Sequence, residues 1–446
     1  MKDLTKGYPA KVIIMFALPL MIGNILQQFY NITDSKIVSE YIGTDALAAV
    51  GATAIISNTL TGLVNGFTQG FGILIARCFG EKNYDSLRKY VSVTVKLTAA
   101  SALVLLAFGE VFVRKFLFLL NTPADILDDS TAYIRIIIAG IVFISLYNMC
   151  ANILRALGNS KGPLICLAIS IVVNLLLDLI FIRSFNMGIK GAAYATIISQ
   201  AISGICCGAM ILKKYREILP HKAEWKPGKI FYKNMIPQAL SMGLMGCIVN
   251  IGSIILQGAI NGLGKEYVTA HISGRRVLDI MMIMIYTIGL SMTTYVSQNL
   301  GAREYKRIRK GILHALIIDT IIASFLILFA YTVGGNIVRW IASTDDELIV
   351  KSGIKYIRVS SLFFYVLGPL FILRCSLQGL GQKIVPLISS GLELTIKVFS
   401  AFVLVARFEY TGVIFTEPIS WVIMIIPLIV VYLVKRPGKN VLTNND

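Results

Sequence analysis

The chain has 446 residues, 56% of them hydrophobic and only 15% charged, with a mean hydropathy of +0.74 and a formal net charge of +18. A soluble protein of this length carries about 25% charged residues. The composition therefore excludes an ordinary soluble helical protein, and the uncharged runs Val398 to Ala406 and Trp421 to Val434 exclude it again.

A helix that crosses a bilayer needs about 20 mostly apolar residues. By that rule the chain predicts about twelve spans, at 11–35, 46–76, 88–120, 125–157, 162–184, 190–212, 230–260, 266–297, 306–332, 346–379, 384–407 and 411–435. The first run follows Lys2, Lys6 and Lys11 and has the flavour of a secretory signal. It lacks a small-residue cleavage site, and it has a partner run around Pro237, so it is read as a span. Along it Asn24, Gln27, Gln28 and Asn31 recur at helical spacing, with Tyr30 and Asp34 four apart beside them. Such a stripe cannot face lipid. The second span carries Gly62, Gly66 and Gly70 at every fourth position, and the sixth carries Gly204 and Gly208. Small residues at that spacing let helices approach closely, as simple packing or as a sliding seam.

The fifth span holds Ser170, Asn174 and Asp178 on one face, and the sixth holds Thr196, Ser199, Gln200 and Ser203. A charge at the bilayer centre costs about 2.5–3.5 kcal/mol on insertion scales, so acids within spans are candidate functional groups. Three polar faces in one half can surround a single hydrated site. In the second half Asp279 lies near the outer part of its span. Asp319 is expected to be satisfied by polar neighbours, and Arg374 to snorkel toward lipid phosphate. Glu393 and Lys397 are four apart and can neutralise each other. Glu417, just before Pro418, lines a cavity or sits at the interface.

Several motifs are set aside. Gly158-Asn159-Ser160-Lys161-Gly162 fits the hydrolase elbow pattern but lies between spans with no strand before it. Asn31-Ile32-Thr33 fits a glycosylation acceptor but lies in the polar stripe. His221, His271 and His314 are scattered, and the seven cysteines show no disulfide or metal spacing.

The chain also repeats itself. Residues 76–89 reappear as 297–310, with Gly80, Tyr84 and Arg88-Lys89 answered by Gly301, Tyr305 and Arg309-Lys310. Pro19 pairs with Pro237, Gly43 with Gly264, Gly158 with Gly381 and Pro163 with Pro386. Two like halves in so apolar a chain point to a transporter. Six spans in each half keep both copies in one orientation, so the expected division is a first lobe at 1–212, an inner linker at 213–233 and a second lobe at 234–446. The linker holds Lys213, Lys214, Arg216, Lys222, Lys226, Lys229 and Lys233, and the tail adds Lys435, Arg436 and Lys439. Loops assigned outside hold Asp125, Asp128, Asp129, Asp345, Asp346 and Glu347. This is the positive-inside pattern. It places both termini in the cytoplasm and accounts for the positive charge without nucleic acid.

Taken together, Ala17-Leu18-Pro19, Tyr30-Asn31-Ile32-Thr33-Asp34, the 43–51 segment from Gly43-Thr44-Asp45 to Gly51, Leu154-Arg155-Ala156-Leu157-Gly158, Asn174-Leu175-Leu176-Leu177-Asp178, Gly191-Ala192-Ala193-Tyr194-Ala195-Thr196 and Gln298-Asn299-Leu300-Gly301-Ala302 resemble the MATE (multidrug and toxic compound extrusion) family across nearly the whole chain. The resemblance implies an all-α membrane protein of twelve helices in two pseudo-symmetric six-helix lobes around a central cleft. It implies efflux of small cationic, amphipathic compounds from a bacterial cell, driven by inward H⁺ or Na⁺, with no other cofactor, by a monomer in contact with membrane lipid. It assigns the coupling ion, including Na⁺ if that is the ion, to Asp34, Asn174, Asp178 and Thr196. Gln27, Tyr30 and Asn148 match cavity positions, and Asn31, Asn152 and Gln200 join them as substrate-cavity candidates. Pro19, which lacks a helical donor, is the expected hinge. A cation site in the second lobe lacks its acids on the seventh and tenth spans, which leaves Glu393, Lys397, Glu417 and Arg374 as secondary candidates. A flippase for lipid-linked saccharides would use a basic cleft built on Arg275, Arg276 and Arg374, and an intramembrane transferase would need a metal or His/Asp cluster.

Overall fold

The computed structural model describes residues 3–119, 122–344 and 346–435. Lys2, Asp345, Arg436 and Lys439 lie outside the described residues. Helix α1 spans Pro9–Tyr41, α2 Thr44–Gly80, α3 Tyr84–Leu119, α4 Leu127–Ala139, α5 Ile141–Ala156, α6 Lys161–Asp178 and α7 Gly188–Lys214. The second series is α8 Lys229–Asn261, α9 Lys265–Gly301, α10 Tyr305–Thr332, α11 Gly334–Ala342, α12 Glu347–Leu362, α13 Phe364–Gly379, α14 Ile384–Phe399 and α15 Val405–Val434. No strand occurs among the described residues. That is the expected outcome for runs that enter hydrocarbon, where a helix satisfies its own backbone groups.

Nine helical stretches among the described residues are long and apolar enough to cross a membrane, and eleven when two bent pairs count as single spans. The bent pairs are α4 with α5, at 44°, and α12 with α13, at 52°. The first bend falls at Gly140, where a Cβ would sit 2.3 Å from Ile197 Cγ1. A last division lies inside the 51-residue stretch Ile384–Val434. There Glu409 leaves the helical region, with φ 50° and ψ −133°, and separates the two remaining spans. The twelve-span, all-α architecture is therefore present. Large apolar side chains such as Ile321, Phe325 and Leu328 stand exposed along α10, a face suited to lipid tails.

The helices gather into two compact units. One is Ile22–Gly246; the other joins Asp3–Met21 to the chain from Cys247 onward. The packing thus does not divide at 212 and 234 as chain order does. Two long helices are shared: α1 changes unit two residues after Pro19, and α8 nine residues after Pro237. The first unit buries one core around Ile75, Leu87 and Leu154 and another around Val113, Ile134 and Ile138. The second unit buries a single larger core around Ile285, Tyr295, Tyr356 and Phe364.

The linker belongs to the first unit because it is docked on α3. Arg88 Nε donates to Glu224 Oε1 at 2.6 Å, and Ser92 Oγ donates to the Glu224 carbonyl at 2.7 Å. The His221 amide donates to Glu224 Oε2 at 2.5 Å. The Arg88 hydrogen bond holds the Glu224 carboxyl below its ordinary 4.5. A lowered carboxylate keeps this contact complete above that value and loses it only as pH falls through the lowered one. In the second unit the segment before α1 is held in a like way. The Leu4 amide donates to Gln298 Oε1 at 3.0 Å, and Arg307 donates to the Gly7 carbonyl at 2.6 Å and to the Lys6 carbonyl at 2.8 Å.

The repeat is a repeat of backbone conformation. Gly43 and Gly264 have φ of 119° and 105°, and Gly158 and Gly381 have φ of 78° and 83°. These are conformations that glycine adopts without steric cost. The glycine stripe of α2 divides by use. A Cβ at Gly66 would fall 2.6 Å from Gly243 Cα, and one at Gly70 the same distance from Ala239 Cα, whereas Gly62 meets nothing within 4 Å. Gly66 and Gly70 therefore set a backbone-to-backbone seam with the early part of α8. Gly66→Leu is expected to destabilise the detergent-solubilised protein by about 1–3 kcal/mol or more, while Gly62→Ala, within a helix and in open space, is expected to stabilise it by up to about 1 kcal/mol. Thermal unfolding monitored by size-exclusion chromatography checks both.

Candidate functional site

The first unit contains a cavity of about 630 Å³. The polar stripe of α1 forms one wall: Gln27, Tyr30, Asn31 and Asp34 all line it, because residues three and four apart share a helix face. Asn148 enters from α5, and Thr196 and Gln200 from α7. A wall that the sequence reading missed comes from α2, where Ser57, Asn58, Thr61 and Asn65 line the cavity. Their spacing is that of one helix face, interleaved along the chain with the glycines at 62 and 66. Tyr133 of α4 and Tyr147 of α5 complete the aromatic part.

Asp178 and Asn174 lie behind this lining and are buried, at 0% and 1% exposure. The Asn174 amide is oriented by its neighbours. Its nitrogen donates to Asp178 Oδ2 at 2.9 Å and to the Tyr30 hydroxyl at 3.2 Å, and its oxygen accepts from the Thr196 backbone amide at 3.1 Å. One side chain on α6 thereby ties α1 to α7. The carboxyls of Asp34 and Asp178 are within hydrogen-bonding reach of each other. Each keeps one buried oxygen, Oδ1, without a partner. The structure thus brings all four expected ion-site residues, Asp34, Asn174, Asp178 and Thr196, to one place. Directly after Asp178 the helix widens into a π-helical turn, Leu179–Ser184. Such turns recur at functional sites, where an inserted residue re-aims its neighbours.

Asn152 departs from its expected place in the cavity. It is buried at 6% exposure, its Nδ2 donates to Thr68 Oγ1 at 2.9 Å, and its Oδ1 accepts from Arg155 at 3.2 Å. One helical turn beyond Asn148, it faces α2 below the cavity and closes a packing contact. Pro19 sits within α1, which continues as helix on both sides of it.

The secondary candidates in the second unit are engaged with one another. Lys397 Nζ donates to Glu393 Oε1 at 2.8 Å and to Ser253 Oγ at 3.0 Å. Glu417 is paired with Arg275, which also binds Asp279 at 2.7 Å, and Glu417 lies 3.5 Å from the Tyr356 hydroxyl. Glu417 is therefore a buried ion-pair partner. Arg374 does not snorkel: it is 6% exposed and donates to Ser389 Oγ at 3.1 Å. Asp319 does not find the expected polar neighbours. It is fully buried with both carboxyl oxygens unpartnered, packed on α13 so closely that a Cβ at Gly368 would overlap it. After Phe399 a second π-helical turn, Ser400–Leu404, stands where Leu179–Ser184 stands in the first half.

A polar, acid-bearing cavity within one unit of a twelve-span, two-unit helical protein defines a membrane transporter. The MatE family profile matches residues 19–180 and again 242–403, and the chain belongs to this family of multidrug efflux transporters, the MATE family. The two matched stretches coincide with the two copies of the repeat. The chain is 27% identical over 385 residues to the probable multidrug resistance protein YpnP of Bacillus subtilis (strain 168), covering 86% of this chain and 85% of that protein. It is 22% identical over 409 residues to the multidrug export protein MepA of Staphylococcus aureus (strain MSSA476), covering 91% and 89%. Among solved structures, a MATE protein in the bent conformation matches with a TM-score of 0.90 at 21% identity, covering 99% of this chain and 98% of the other. An outward-facing multidrug resistance MATE transporter matches with a TM-score of 0.89 at 21% identity, covering 100% and 98%.

Asn174→Leu is expected to leave Asp178 and the Thr196 amide without their partner. An unsatisfied buried polar group costs about 1–3 kcal/mol, so the melting temperature falls, whereas Asn152→Leu lowers it without altering the cavity. Thermal unfolding, together with ligand protection of each variant, separates the two.

Proposed function

We propose that the protein exports small cationic organic molecules in exchange for inward H⁺ or Na⁺, with exchange controlled by Asp34 and Asp178. The observation that carries this reading is the contact between the two carboxyls, one lining the cavity and one buried behind it. Two carboxylates this close in a low-dielectric site cannot both stay ionised without a cation nearby. An organic cation in the cavity supplies that charge, and so does a coupling ion on the pair. Each therefore weakens the other's binding, the negative coupling that exchange requires. The membrane potential contributes about 2.3 kcal/mol per charge per 100 mV. Asn174 turns its N–H toward Asp178 and gives its oxygen to the Thr196 amide. Release follows from alternating access of the two lobes, with α1 bending at Pro19 where the Met15 carbonyl lacks its helical donor. In this reading the termini lie on the cytoplasmic side and the working unit is a monomer. The twenty lining residues include no Lys or Arg, and Arg275 is occupied by two acids, so the basic cleft of a saccharide-lipid flippase has no counterpart in this cavity.

Proteoliposomes loaded with an organic cation and given a pH gradient or a sodium gradient separately test the reading. Efflux is expected with one of the two gradients, which names the coupling ion. Asp34→Asn is expected to express normally and to lose export, and wild-type efflux from that variant overturns the carboxylate-pair mechanism.

A further inference from the structure

The chemistry of the cavity wall says what kind of cation fits. Its apolar side chains are only Val50, Ala54, Ile137 and Ile144, with no Phe, Trp, Leu or Met among the lining residues. Ligand pockets are usually lined mostly by hydrophobic and aromatic groups with a few polar ones. Here polar side chains outnumber aliphatic ones among the lining residues, and six carboxamides line one space: Gln27, Asn31, Asn58, Asn65, Asn148 and Gln200. Their partners within the protein are few. Gln27 donates to Asn31 at 3.3 Å, Asn65 accepts from Gln69 at 3.0 Å and Asn148 donates to the Ile144 carbonyl at 2.9 Å. Those bonds do not use the Gln27 and Asn148 oxygens or the Asn31 and Asn65 nitrogens. The Gln200 oxygen is buried with no partner. A lipophilic cation would strip water from these groups and return no hydrogen bond, whereas a hydroxylated amine would replace that water group for group. Sites built to hydrogen-bond their substrate reject analogues that lack the matching groups by large factors.

We propose that this cavity selects a hydrogen-bond-rich organic amine, of the amino-nucleoside or amino-sugar kind, over a lipophilic cation of equal charge. The carboxamides read its hydroxyl and amide groups, the tyrosines pack on its rings, and Asp34 takes its ammonium. The proposal rests on the exchange reading above for the role of Asp34 alone.

Equilibrium binding to the purified full-length protein in detergent, by thermophoresis at a pH about two units below the α-amino range so that each probe carries one positive charge, tests it with puromycin, rich in donors and acceptors, and tetraphenylphosphonium, which has none. Puromycin is expected to bind at least about tenfold more tightly. The double variant Asn58→Leu/Gln200→Leu is expected to lose that preference while keeping its melting temperature and its tetraphenylphosphonium affinity. Equal or tighter binding of tetraphenylphosphonium to the wild type, binding of neither probe, or a preference retained in the double variant overturns the proposal. Binding in detergent needs no ion gradient. A protein that keeps the preference but fails to export under either gradient therefore speaks against the exchange reading and not against this one.

Discussion

A polar atom placed in hydrocarbon has no water to turn to, and that constraint shapes every part of this protein that is not merely apolar. The backbone meets it by being helical. The side chains meet it by finding one another, and the pattern of those meetings differs between the two units. In the first unit a single amide, Asn174, reaches α1 through Tyr30, α7 through Thr196 and its own helix through Asp178. In the second unit three acids are matched with bases, Glu393 with Lys397 and both Glu417 and Asp279 with Arg275, while Asp319 stays buried without a partner.

The contrast has a simple origin in the repeat. The two halves share their turns, their paired glycines and even a π-helical widening at corresponding places. At the positions of Asn174 and Asp178, however, the second copy has Lys397 and Ala401. A lysine beside an acid makes a contact that is complete within the protein, and a buried pair of that kind mainly fixes structure. Two acids and an amide have no base among them. The first arrangement is closed within the chain; the second is the one on which the proposed cation exchange rests.

How much of this was legible in the sequence follows from the same constraint. The spans were legible because apolar runs cannot be anything else, and the α1 stripe because four polar residues at helical spacing must share a face. The bends were less so. Gly140 resembles many other glycines until Ile197 is seen against it, whereas the break at Glu409 falls in the gap between the spans read at 384–407 and 411–435, where Arg407 and Glu409 interrupt the apolar run. Side-chain destinations were hardest where they depend on a partner from another helix. Asn148 and Asn152 are the same residue one turn apart, yet one lines a cavity and the other braces Thr68. Arg374 near a helix end fits a lipid-seeking residue until Ser389 is seen to receive it. Asp319 shows the limit of reading acids by type, since no rule of spacing foretells a carboxyl pressed on Gly368 with both oxygens bare.

The docked linker carries a consequence for how the chain tolerates change. By position, 213–233 is the place where an engineer would insert a tag or cut the gene into two halves. Its Glu224 is buried against Arg88 and Ser92, and its backbone runs as two short 3₁₀ turns with little slack. An inserted segment there would have to undock the whole strap from α3. The turn at 186–188 has open space beside it, yet Asn186 and Gly188 hold φ of 49° and 57°, so it too is a fixed shape. A long loop is not a slack one: the linker is as much a built part of the first unit as the helices it joins.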